Sequence, residues 1–167
     1  MGLGNPGKTY APTRHNLGAR VVDELRRNLN APAFRLRSAL RARVSAGERL
    51  LAIPTTFMND SGRAVRALAR RFRTPLDHLL VVHDEKDLAF GKLKLQRNRS
   101  SAGHRGAQSI IAALGSQNFW RLRIGIGSPP AGIATDTFVL APFTAAENRK
   151  IQETIIREAE SEVIALL

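Results

Sequence analysis

A chain of 167 residues, 43% of them hydrophobic, is long enough to bury one core without covalent staples, and the absence of cysteine excludes disulfides and thiolate metal sites. It shows no charged-then-apolar leader and no run of about 18 apolar residues, so a cytoplasmic protein without a membrane span is expected. The net charge of +12 points to a polyanionic partner, nucleic acid above all.

The opening GLGNPG, residues 2–7, fits G-x-G-x-x-G literally. A dinucleotide loop needs a strand before it, a helix beginning within it and an acid at a strand end about 20 residues later. Here only Met1 precedes Gly2, Pro6 interrupts the pattern, and Asp23 and Glu24 fall within a helical pattern, so no nucleotide cofactor is expected. Such a loop ordinarily hangs from a central strand. The natural protein is therefore expected to start several residues before Met1, or its fold to have lost or replaced that strand.

From Asn16, the positions Leu17, Val21, Val22, Leu25 and Leu29 recur at helical spacing, with Asn16 as N-cap and Pro32 beyond the end. Residues 40–54 read as a hairpin turning at Ala46-Gly47. A second helix spans 61–72, capped by Asp60 or Ser61 and blocked by Pro75. Residues 79–82, LLVV, form a short apolar run typical of a strand covered on both faces. GKLKLQ alternates Lys92, Lys94 and Gln96 against leucines, and RLRIGIG sets Arg121 and Arg123 against Leu122, Ile124 and Ile126, so each predicts a strand with one basic, exposed face. GAQSIIAALG between them is helical, as is the segment from about Ala145 to Leu167. Strands alternating with helices predict a layered α/β domain.

The charge is unevenly spread. Five acids are glutamates after residue 146, whereas Arg70, Arg71, Arg73, Lys92, Lys94, Arg97 and Arg99 lie close together in sequence, the kind of surface that phosphate contacts need.

Each of the four histidines is a candidate general base, since imidazole titrates near neutral pH. His15 lies in a loop ahead of a helix. His83 and Asp84 follow the buried strand, where open α/β sheets place ligands, and Asp84 is the best-placed carboxylate to orient a base. No serine sits in G-x-S-x-G, so these parts favour activating water over a covalent intermediate. H-E-x-x-H is absent, and His83, Asp84 and Asp87 make a poor metal set because neighbours on a strand face opposite ways. Asn5 and Asn59 offer amides that hold a peptide backbone or a water, or else act as turn and helix-start residues. Phe57 and Met58 read as core or as an apolar wall.

Taken together, GLGNPG, Y-x-x-T-R-H-N-x-G, P-T-T-F-M-N-x-S-G, V-x-H-D-E-x-D-L, S-A-G-H-x-G and R-L-R-I-G-I-G, in order from residue 2 to about 143, resemble the bacterial peptidyl-tRNA hydrolase family. The resemblance implies a single α/β layered domain, with a mixed, mostly parallel central sheet flanked by helices. It also implies a monomer that hydrolyses the ester between peptide and tRNA without metal or cofactor. His15 would be the base and Asp84 the carboxylate that stabilises its proton-accepting state. Asn5 would distinguish N-blocked peptides, Asn59 would bind near the ester, and Tyr10 and Phe57 would line the site of the tRNA end. Arg105 stands where the family usually has a substrate-contacting Asn, and Gln96 where some relatives carry a basic residue. Arg105 is therefore expected either to grip a phosphate or to obstruct, and Lys94 or Arg97 to join Arg123 on the tRNA phosphates. The alternatives are an RNA-binding relative with weakened catalysis on the same fold and, third, a nucleotide-dependent oxidoreductase.

Overall fold

The computed structural model describes residues 1–166, and no helix in it is long and apolar enough to cross a membrane. The expected hairpin forms as β2 (Ala42–Ala46) and β3 (Leu50–Pro54), antiparallel with Ala46 opposite Leu50. An earlier short strand, β1 (Arg35–Arg37), adds to its outer edge. β4 (Leu80–Glu85), buried along its whole length, runs parallel to β6 (Trp120–Gly125), and β5 (Leu93–Arg97) pairs antiparallel with β6.

Met1–Leu3 joins the two groups of strands. Gly2 N donates to Ala52 O on one side at 3.0 Å, while on the other Val82 N donates to Met1 O at 2.8 Å and Leu3 N to Val82 O at 3.0 Å. Residues 1–3 thus hold the strand position expected before the glycine-rich loop, bridged in parallel to β4. The mixed sheet is parallel in its middle and antiparallel at the hairpin and β5.

Strand alternation divides the core between two faces. Val82, Leu122 and Ile124 pack against Leu17, Val21 and Leu25 of α1 (Leu17–Asn28) and against Ile155, Ile156 and Ala159 near the chain end. Val81 points the other way, into Leu3, Met58, Val65, Ile110 and Phe119, beneath α2 (Ser61–Phe72) and α3 (Arg105–Leu114). Burying one such side chain contributes about 1.5–3 kcal/mol, so packing on the sheet, more than helix propensity, holds these helices.

The sequence did not point to α4 (Thr135–Leu140). The closing segment is α5 (Ala145–Lys150), a π-helical stretch over Ile151–Ile155, and α6 (Ile156–Leu166); Leu167, the last residue of the expected helix, lies outside the described residues. Two further expectations are corrected. Asn16 does not cap α1, because its amide is bonded to the backbone of Asn5 instead. Arg121 is not on an exposed basic face: its side chain is buried under the loop that carries Arg99 and Ser100, donating to their carbonyls.

Helix α1 crosses β4 very closely. A Cβ at Gly18 would stand 2.2 Å from Val82 O, a backbone atom unable to retreat, and this approach brings the turn before α1 to the end of β4. Gly18→Ala is expected to destabilise by about 1–3 kcal/mol, the usual cost of overpacking, read as a lower thermal midpoint. An unchanged midpoint would contradict so close a contact.

Candidate active site

β4 ends in His83-Asp84-Glu85, and its alternation sends Asp84 toward one face and its neighbours toward the other. Asp84, 2% exposed, meets two imidazoles. His15 Nδ1 lies 2.9 and 3.0 Å from its two carboxylate oxygens, and His104 Nε2 lies 3.0 Å from Oδ1. His15 sits in a single helical turn, Arg14–Asn16, just before α1. The turn is pinned by Arg14, which donates to both oxygens of Glu147 at 3.0 and 2.9 Å and to Pro142 O, its guanidinium 4.7 Å from the Phe138 ring centroid.

The hydrogen bonds assign the tautomers. His104 is the N-cap of α3, and its Nδ1 accepts from Ala107 N–H at 3.2 Å. Its proton therefore resides on Nε2, which donates to Asp84. Asp84 in turn accepts a hydrogen bond from His15 Nδ1–H, so His15 Nε2 carries a free lone pair at the pocket lined by both histidines, Asp84 and Arg105. That is the arrangement of an oriented general base.

Burial alone would raise the Asp84 carboxyl, but the His15 and His104 imidazoles beside it outweigh burial and hold it far below the ordinary carboxylate range. His83 is held well below the ordinary imidazole range, first by burial and then by His104. Its Nδ1–H donates to Asp84 O at 2.6 Å, so it is a neutral structural imidazole.

His15, Asp84 and His104 also bring three potential metal-ligand atoms within 4.8 Å of one another. The donor set fits a cation poorly, because His104 Nε2 carries the proton that lets Nδ1 cap α3. A metal there would take that cap away.

The structure places Asn5 beside this cluster through Asn16: Asn5 N donates to Asn16 Oδ1 at 2.8 Å, and Asn16 Nδ2 donates back to Asn5 O at 2.9 Å. Asn5 Oδ1 accepts from Met58 N at 2.7 Å, which orients its side-chain NH2 as a donor. Tyr10 and Phe57 meet edge to face with centroids 6.1 Å apart, and Phe57 is 54% exposed, an apolar wall and not core, whereas Met58 is buried. Asn59 is exposed in the turn Met58–Asp60. Lys94 and Arg97 are exposed on β5, and Lys94 lies across from Arg123. Arg123 is not a free cation: it donates to Glu85 Oε2 at 2.9 Å and to Gln96 Oε1 at 2.6 Å. Arg105 is exposed and paired with Asp136.

The family model described as peptidyl-tRNA hydrolase matches residues 1–167. The chain belongs to the peptidyl-tRNA hydrolase family. It is 43% identical to the peptidyl-tRNA hydrolase of Mycolicibacterium smegmatis, over 95% of this chain and 85% of that protein. It is 46% identical to that of Roseiflexus castenholzii, over 96% and 77%. The crystal structure of peptidyl-tRNA hydrolase from Acinetobacter baumannii superposes with a TM-score of 0.88 at 28% identity, covering 99% of this chain and 89% of that one.

Within this member of the family, sequence reasoning missed three contributors. His104 is one of four candidate bases in the sequence, but its actual place, capping α3 and donating to Asp84, is not legible there; a histidine directly before a helix start, after Gly103, is the available signal. Asn16 carried a signal in its adjacency to His15. Asp136 had none, its partner being 31 residues away.

The lowered Asp84 group contributes stability above the ordinary carboxyl range near about pH 4, and that contribution is lost as pH falls through and below it. The gap in thermal midpoint between the wild type and Asp84→Asn is expected to be widest above about pH 5 and to narrow on acidification. A gap constant down to about pH 3 would show that the ionised carboxylate is not what the fold uses.

Proposed function

We propose that this protein hydrolyses the ester that joins a peptide to the 3′ end of tRNA, freeing the tRNA for reuse. The observation that carries the reading is the Asp84 carboxylate bonded to His15 Nδ1, which leaves Nε2 at the pocket to take a proton from water. The activated water attacks the ester carbonyl. The developing oxyanion is stabilised by amides, including those at the start of α3, where a helix N-terminus favours negative charge. Membership of the family and the names of its relatives support the same activity.

Around this centre, Asn5 offers its NH2 to the carbonyl of an N-blocked peptide, Asn59 binds near the ester, and Tyr10 and Phe57 receive the tRNA end. Arg105 stands at the rim. Lys94 and Arg97 meet tRNA phosphates, and Arg123, whose charge Glu85 already balances, supports that face. The protein acts as a monomer in the cytoplasm, as the resemblance implies. A binding protein with weakened catalysis is not favoured, since the His15 and Asp84 pair is intact.

Pure protein is expected to release N-acetyl-amino acid from N-acetyl-aminoacyl-tRNA and to spare free aminoacyl-tRNA. His15→Ala should lower turnover by about 10²–10⁴-fold while tRNA binding persists and weakens steeply with salt. Unchanged turnover in His15→Ala would overturn the assignment.

A further inference from the structure

The pocket beside His15 and Asp84 is small, about 50 Å3. One wall is the segment Ala102–Arg105 that leads into α3, and the other is the start of α4 with Thr135 and Asp136. The walls meet in one ion pair, Arg105 Nη2 to Asp136 Oδ2 at 2.5 Å. Both side chains are more than half exposed, at 65% and 59%, so water screens the pair and a stronger anion can take the place of Asp136.

The two residues respond to RNA in opposite ways. Arg105 presents a planar fork that matches a phosphate bidentately, and it is the first residue of a ten-residue helix whose N-terminus also favours an anion. Asp136 carries the charge that a phosphate repels. We propose that the Arg105 and Asp136 pair is a clasp over the catalytic pocket which the substrate itself opens, a phosphate of the tRNA 3′ end taking the place of Asp136 on Arg105. This rests on the hydrolase reading above. The clasp makes residue 105 a specificity determinant: a polyanion that comes with the ester relieves the pair, and a small neutral ester does not.

Two variants that both break the pair separate this from a passive contact. Asp136→Asn frees Arg105 for phosphate, and is expected to lower KM and raise kcat/KM severalfold on N-acetyl-aminoacyl-tRNA. Arg105→Gln opens the same mouth but loses the phosphate ligand, and is expected to raise KM with kcat little changed. In the His15→Ala background, where bound N-acetyl-aminoacyl-tRNA persists, Arg105→Gln should reduce the slope of log affinity against log salt by about one, and Asp136→Asn should not reduce it. Unchanged KM in Asp136→Asn, or the same direction of change in both variants, overturns the clasp. The binding arm needs no turnover, so it reads the clasp independently of whether His15 is the base.

Discussion

A single buried carboxylate holds the architecture together. Asp84 sits at the carboxyl end of the central strand with almost no access to water, where an isolated charge is costly, and its ionised form persists because two imidazoles donate to it. One imidazole comes from the turn before α1, on one face of the sheet. The other caps α3, on the opposite face. The carboxylate thus joins all three layers, and removing one partner of such a buried pair typically costs about 3–5 kcal/mol.

Much of the remaining structure serves to deliver those two rings. Gly18 lets α1 descend onto β4, and Arg14 fastens the His15 turn to the segment around α5. Arg121, buried within β6, reaches the carbonyls of Arg99 and Ser100 and so braces the loop that leads to His104. Glu85 and Arg123 balance each other on the neighbouring face, which keeps a second buried carboxylate from competing for the histidines. Ligand chemistry therefore gathers at the carboxyl ends of the parallel strands, where α/β sheets ordinarily place it.

The helices, the hairpin and the central strand were legible because their apolar spacing is strong and local. That His15 and Asp84 would meet was legible from position, one preceding a helix and the other ending a buried strand, since loops at such places converge. What escaped depended on contacts between distant parts of the chain. Arg121 alternates with leucine and isoleucine like an exposed cation, and only the loop through Arg99 and Ser100, distant in sequence, covers it. Asn16 has the chemistry of a cap, yet the returning glycine-rich loop offers its amide a better pair of partners. His104 accepting a helix amide is a role normally filled by Ser, Thr, Asp or Asn, so residue type alone did not reveal it.

The account turns on where two protons sit. Nitrogen-15 NMR of the imidazoles in the free protein near neutral pH tests it directly, because the shifts of Nδ1 and Nε2 distinguish the neutral tautomers. The prediction is opposite tautomers in the two rings, with His15 protonated on Nδ1 and bare at Nε2, and His104 protonated on Nε2 and bare at Nδ1. A His15 ring protonated on Nε2 would contradict it, since the nitrogen facing the pocket would then have no lone pair with which to activate water.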